Sequence, residues 1–431
     1  MLKKEDLIKY FNQGIKNEKN LRVGVEHEKF LFKNKLNKRI DFETVSKVFN
    51  FLQQFGWKPI KEKNNTVALH KEEKSITIEP GNQIELSGAP LSSVHHNCRE
   101  SYEFLGELKK VCKNFDLKMM ATSFDPFSKL ENIPNTPKHR YEIMTEEMPK
   151  NGKLSLEMMY QTCGTQINLD YTSEKDFIKK FKLSSFLAPL SNAIFANSPI
   201  KESKLSGYLS YRSYVWQNTS RGGLPKIFLE EMNFEKYIDF ANNMPLLFIV
   251  NDGRHLKPDG KTFKDFIEGK LSILKNKTPT IKDFEIHLAT IFTEVRLKKY
   301  IEIRSLDTCE WDCHCGGPAF YTGLIYGNLD EALEVINKWK IPEVLKAYTE
   351  APKLGLNTKL HNKTLQEWGK IFLKLAQQGL QKRSILNNQN QDEAIFLRSV
   401  ESVINNNKNK ADITIEKFKK QKNLEFLYEK I

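Results

Sequence analysis

The chain of 431 residues is 39% hydrophobic and 28% charged, the balance of an ordinary soluble globular protein with room for a sizeable core. No apolar run approaches the roughly 20 residues that span a bilayer, and the opening MLKKEDLIKYFNQGIK is too polar for a secretory signal, so a cytoplasmic protein with six reduced cysteines is expected. The formal charge of +13, from 67 Lys and Arg against 54 Asp and Glu, is spread along the chain, which favours anionic small molecules without singling out nucleic acid.

In chain order, residues 3–16 place Leu7, Ile8, Phe11 and Ile15 on one face of a short helix. RVGVEHEKF (22–30) alternates as a strand: Gly24, Glu26, Glu28 and Phe30 share one face, Val23, Val25, His27 and Lys29 the other. NKLNK (34–38) reads as a turn, and residues 41–55 as a helix with Asp41 as N-cap and Gly56 as its stop. SITIEPGNQIELS (75–87) gives two short strands broken at Pro80–Gly81. Thr77 and Glu79 oppose Ile76 and Ile78 in the first, and Gln83 and Glu85 oppose Ile84 and Leu86 in the second.

A helix is expected over about residues 92–114, with His95 and His96 as ordinary members. Residues 120–153, with Pro126, Pro134 and Pro137 and the basic Lys138, His139 and Arg140, read as an irregular functional or mobile loop. MMYQTCGTQINLDY (158–171) alternates, with Thr162, Gly164, Gln166 and Asn168 on one face. Residues 181–197 form an apolar core helix. GYLSYRSYVWQNTSRGGLP (207–225) reads as a loop whose Arg212 and Arg221 suit carboxylate or phosphate. After a helix and connector over 261–280, TEVRLKKYIEIRSLD (293–307) sets Tyr300, Glu302 and Arg304 on one strand face. From about residue 330 the pattern is helical, interrupted by polar stretches at 387–392 and 405–410.

Glu26, Glu28, Glu79, Glu85 and Glu302 thus fall on strands with apolar opposite faces. Carboxylates gathered on one sheet surface repel unless cations sit among them, and hard oxygen donors select Mg2+ or Mn2+. With arginines available for phosphate, nucleotide-dependent phosphoryl transfer fits. No Walker loop or dinucleotide fingerprint is present, so metal and side chains on a sheet would hold the phosphates.

The segments GVEHEKF, ITIEPGNQIELSGAPL, TCGTQINLDY, YLSYRSYVW and YIEIRSLD, in this order, resemble the plant-type and proteobacterial glutamate-cysteine ligases. The resemblance implies an α+β, glutamine-synthetase-like carboxylate-amine ligase fold: a curved antiparallel sheet forming a funnel-shaped site, covered by helices. It implies ATP-dependent joining of the glutamate γ-carboxylate to the cysteine amine through γ-glutamyl phosphate, the first step of glutathione biosynthesis. Carried over by position, Glu26, Glu28, Glu79, Glu85 and Glu302 would hold Mg2+. Arg304 would contact ATP phosphates, and Arg212 with Trp216 would form the amino-acid pocket. Both arginines are catalytic candidates; Gln166, Asn168 and Arg221 are further substrate contacts.

One catalytic domain over 1–431 is expected, a monomer or homodimer, with sheet and site mainly at 20–330 and helical support at about 331–431. The start lacks a transit segment, so the bacterial branch is the expected match. TCEWDCHCGG (Cys309, Cys313, His314, Cys315) admits a soft-metal site or a thiol switch, but Cys-x-Cys is a poor zinc spacing and reduced structural thiols are expected. His27, on the apolar face, is expected in the core. A related ligase using another amine stays open, since only residues 208–223 would discriminate. A basic nucleic-acid-binding protein would want exposed aromatics among basic residues, and the aromatics here are core-spaced.

Overall fold

The computed structural model describes residues 2–34, 37–274 and 277–429. Part of the predicted 34–38 turn and residues 275 and 276 of the 261–280 connector lie outside the described residues.

The central sheet has ten strands: β1 (Val23–Lys33), β2 (Lys38–Arg39), β3 (Lys58–Glu62), β4 (Asn65–Lys71), β5 (Lys74–Ile78), β6 (Ile84–Ser87), β7 (Leu117–Met120), β8 (Gly164–Leu169), β9 (Val295–Leu297) and β10 (Ile301–Asp307). Their order is β9-β10-β8-β1-β6-β5-β4-β3, and β2 and β7 pair with the far end of β1. Every ladder is antiparallel, so one face can be apolar and covered while the other stays polar. Ile76, Ile78, Ile84 and Leu86 pack with Val45, Val48, Phe49, Leu105 and Leu108 of the Phe42–Leu52 and Val94–Phe115 helices. Val23, Val25, Ile167, Leu169, Ile301 and Ile303 join the larger core with Phe177, Phe181 and the later helices.

Several elements follow the sequence. Asp41 caps the Phe42–Leu52 helix by accepting the Thr44 N–H, and Gly56 beyond it takes φ 88°. The helices at Leu329–Ile336, Ile341–Leu354, Leu365–Arg383, Arg398–Asn406 and Lys410–Gln421 fill the C-terminal stretch. His27 is 4% exposed and stacks on His314, ring centroids 3.0 Å apart; burial lowers its pKa.

Others differ. The 207–225 stretch contains a helix, Tyr211–Gln217, because Ser210 caps it by accepting the Ser213 N–H while Tyr211 and Val215 bury one turn apart. Residues 120–153 include the His139–Glu147 helix. The alternation at 158–171 begins only at Gly164; Ser155–Gln161 is helical and Thr162 ends that helix. The 181–197 helix divides into Glu174–Phe186 and Ala188–Ile194, with Pro189 at the break.

The expectation of six reduced cysteines is corrected. Cys98 is disulfide-bonded to Cys315 and Cys309 to Cys313, while Cys112 and Cys163 are free and buried. Cys98 and Cys315 are 217 positions apart in sequence, and only packing of the Val94–Phe115 helix against the segment leading into Gly316–Thr322 brings them together.

The tail also does more than extend the helical layer. Leu427 accepts the Ala121 N–H, Glu429 donates its N–H to Met119, and the Glu429 carboxylate reaches Lys29 Nζ at 2.8 Å on the covered face of β1.

Candidate functional site

Strand register assembles the site. Glu28 stands opposite Glu85 on β6, and Glu26 lies between Ser87 on β6 and Gln166 on β8. Asn168 lies between Gly24 on β1 and Glu302 on β10, and Glu302 faces Arg296 on β9. Cross-strand partners project to the same side, so these rows form one polar floor. Above it is a cavity of about 450 Å3 lined by Glu26, Glu28, Thr77, Glu79, Glu85, Ser87, Gln166, Arg296 and Arg304. Its far wall comprises Arg140, Tyr141 and Met144, the segment with Phe248, Val250 and His255, and Ile286, Ala289, Thr290 and Phe292.

The floor carries more negative charge than its neighbours neutralise. Enclosure, then Glu85 and Glu302, push the Glu26 carboxyl up to about 7. Enclosure, then Glu85 and Glu79, push Glu28 up against the opposing pull of Arg212 and of the Gly164 N–H, which donates to Glu28 Oε2 at 2.6 Å. Glu85 is raised by enclosure and Glu79. Asn168 donates to Glu26 Oε1 at 2.7 Å. Among the described residues no group of three or more His, Cys, Asp or Glu side chains stands ready-made around a metal ion. The feature that suits a divalent cation is uncompensated charge on hard oxygen donors.

Glu302 behaves differently from the other four. It is fully buried, outside the residues lining the cavity, and paired with Arg296 and with Lys298 at 2.8 Å. Burial would raise its pKa, but Arg296 and Lys298 outweigh that and hold it well below the usual carboxylate range.

Arg304 lies where β10 and β8 lose register between Ile303 and Leu306, an irregularity of the kind that re-aims a side chain beside a site. It lines the cavity and hydrogen-bonds Gln166, and its Nε is buried without a partner. Burial, then Arg296, lower its pKa to about 10. Arg212, 2% exposed, lies outside the residues lining the cavity and donates to the Arg304 carbonyl at 3.0 Å. The Trp216 ring carries both guanidinium groups, Arg212 at 4.6 Å and Arg304 at 5.2 Å. Gly164 leaves the space this needs, since a Cβ there would lie 2.6 Å from Arg212 Nη2.

Arg221 is not brought to this site. Its guanidinium donates to the Thr290 carbonyl, the Thr290 hydroxyl at 2.8 Å and the Pro245 carbonyl. Gln83 also leaves the acidic face: it is buried and donates to the Met159 and Thr162 carbonyls, at 3.1 and 3.0 Å. Arg296 lies in the same sequence segment as Tyr300, Glu302 and Arg304, and the hairpin register there pairs it with Glu302. On the far wall, Arg140 comes from the basic run 138–140 of the 120–153 stretch, while the segments around 248–255 and 286–292 carry no alternation or charge motif to announce them.

A larger cavity, about 800 Å3, is lined by Tyr208, Tyr214, Gln217, Tyr348 and Leu354 among others, with Glu350 and Lys353 as its charged members. It has volume but no clustered charge, and the smaller cavity has the chemistry.

A family model described as glutamate-cysteine ligase family 2 (GCS2) matches residues 22–430. The chain is similar to glutamate-cysteine ligase B, chloroplastic, of Oryza sativa subsp. japonica, 39% identical over 409 residues that cover 94% of this chain and 81% of the relative. It is 38% identical to the chloroplastic glutamate-cysteine ligase of Nicotiana tabacum, covering 94% and 77%. A crystal structure of glutamate-cysteine ligase from Francisella tularensis in complex with AMP shares the fold, with TM-score 0.51 and 14% identity over 94% of this chain and 86% of that one.

Proposed function

The chain belongs to glutamate-cysteine ligase family 2, and from that premise we propose how the acidic cavity serves the reaction. The activity is ATP-dependent ligation of glutamate to cysteine, giving γ-glutamylcysteine for glutathione biosynthesis. Among the described residues no helix is long and apolar enough to cross a membrane.

A carboxylate is a poor electrophile toward an amine. In the proposed mechanism an oxygen of the glutamate side chain attacks the γ-phosphorus of ATP, giving γ-glutamyl phosphate and ADP. The cysteine amine then attacks the acyl carbon, and inorganic phosphate leaves as the amide forms. No nucleophile from the protein is required, and the protein's task is to bring anions together and stabilise charge in transfer.

Glu26, Glu28, Glu79 and Glu85 would hold Mg2+, with Mn2+ as a substitute, and Glu302 would set the pose of Arg296 and Lys298 beside them. The support is the confrontation of Glu28 with Glu85 at the cavity floor, whose charge the neighbouring cations leave uncompensated. Bound there, the metal would neutralise phosphate charge. Arg304 would meet ATP phosphates. Gln166 orients Arg304 and Asn168 orients Glu26. The glutamate carboxylate would be received at the end where Trp216 underlies Arg212 and Arg304.

The test is ADP release from ATP and Mg2+ with glutamate, with and without cysteine, other amines being tried in parallel. Cysteine-dependent turnover is expected; turnover indifferent to cysteine would overturn the reading.

A further inference from the structure

Asp307, the last residue of β10, stands opposite Gly164 of β8 and is 3% exposed. Its Oδ2 accepts the Asn197 N–H at 2.8 Å and the Ser198 hydroxyl at 2.7 Å, and its Oδ1 accepts the Ser210 hydroxyl at 3.0 Å. Each serine leads on to Arg212. Ser198 Oγ accepts the Arg212 N–H at 3.1 Å, and Ser210 caps the helix that carries Arg212 and Trp216. Arg212 Nη1 itself lies 3.7 Å from Asp307 Oδ1.

We propose that Asp307 is a positioning residue: it fixes Arg212 through both main chain and side chain, and thereby shapes the glutamate end of the site. A buried carboxylate is costly unless paired, and the cation that faces this one is Arg212. Asp307 takes Arg212 from one side while the carbonyl of Arg304, three positions earlier on β10, takes Nη2. One strand therefore sets both members of the arginine pair over Trp216, and Gly164, across from Asp307, keeps the space clear. Arg212 Nε remains buried without a partner, so the anchoring leaves donor capacity unused.

The inference rests on the reading that the Arg212 end receives glutamate, and a double-mutant cycle separates the two. KM for glutamate and for ATP would be measured for wild type, Asp307→Asn, Arg212→Ala and the double variant. Asp307→Asn should raise the glutamate KM roughly tenfold with the ATP KM changed by less than about twofold. The double variant should be no worse than Arg212→Ala alone, because Asp307 acts through a group already gone. An unchanged glutamate KM in Asp307→Asn, parallel rises in both KM values, or the same rise from Asp307→Asn in the Arg212→Ala background would overturn the Asp307 role while leaving the glutamate reading standing. An unchanged glutamate KM in Arg212→Ala would overturn that reading and the Asp307 role with it. Should Asp307→Asn fail to fold, Ser198→Ala, which cuts the main-chain link and keeps the carboxylate with its Ser210 and Arg212 contacts, takes its place in the cycle. A smaller selective rise in the glutamate KM, absent in the Arg212→Ala background, is then expected, and an unchanged glutamate KM would overturn the main-chain part of the proposal.

Discussion

Glu28 and Glu85 face each other across the β1–β6 ladder, on the floor of a cavity that Glu26 and Glu79 also line. Opposed like charges on adjacent strands destabilise a sheet, which is the cost expected if this pair holds the proposed cation. Glu28→Gln should lower turnover by roughly 100-fold or more, a loss typical of removing one charged group from a preorganised site. The melting temperature of the metal-free variant should be unchanged or higher. A clear drop in melting temperature would instead make Glu28 a structural residue.

Burial, and after it the same repulsion, fix the sign of a pH effect. The folded chain holds the Glu26 carboxyl at about 7, with Glu28 and Glu85 displaced in the same direction, against about 4.3 for an exposed glutamate. Between those values the folded state binds more protons than the unfolded state, so stability falls as pH rises. This contribution is fully present below about pH 4 and lost as pH passes through about 7. In EDTA, the melting temperature of the wild-type chain should fall relative to that of Glu28→Gln from about pH 5 to about pH 8, a comparison in which the opposite slope from the buried, neutral His27, His287 and His314 cancels. Millimolar Mg2+ should raise it more at the upper pH, where the carboxylates are ionised and free to bind. An equal effect of Mg2+ at both pH values would count against a carboxylate site.

Much of this floor was legible because strand alternation is a period of two: Glu85 stands between Ile84 and Leu86, Glu26 follows Val25, Gln166 precedes Ile167 and Arg304 follows Ile303. Register was not legible, and register decides which carboxylates meet: it set Glu28 against Glu85 but gave Glu302 to Arg296. Gln83 failed the alternation because Asn82, at φ 60°, turns the chain just before β6 begins. The far wall, from Phe248 to His255 and from Ile286 to Phe292, carries no local pattern, since its residues are selected by what they face across space. The Cys98–Cys315 bond was hidden for the same reason.

Arg221 provides a contrast to the arginines at the site. Its donors hold the Thr290 and Pro245 segments to the 221 turn, and burial lowers its pKa to about 9. Arg221→Ala should leave the KM for ATP and for glutamate within about twofold while lowering stability by about 1–3 kcal/mol, the cost of leaving the acceptors of the buried Thr290 unmet. Steady-state kinetics and urea denaturation on one preparation separate the two effects. A selective rise in one KM would return Arg221 to the substrate pocket.

Lys29 and Glu429 test the tail. Their side chains are 4% and 7% exposed, and Lys29 Nζ also donates to the Cys309 carbonyl at 2.5 Å. A buried ion pair adds little over a well-packed apolar pair, whereas removing one partner strands a charge in the interior. Glu429→Ala should therefore cost about 3–5 kcal/mol in urea denaturation, although residue 429 is far from the cavity in sequence. Lys29→Met combined with Glu429→Leu should recover most of that loss, because neither charge remains to be solvated. Since Lys29 follows Glu28 on β1 and projects to the opposite face, the single variant should also loosen the catalytic strand, so turnover should fall with stability and return in the double variant. Loss of activity that persists after stability is recovered would mean that the charge itself, and not the seating of β1, serves the reaction.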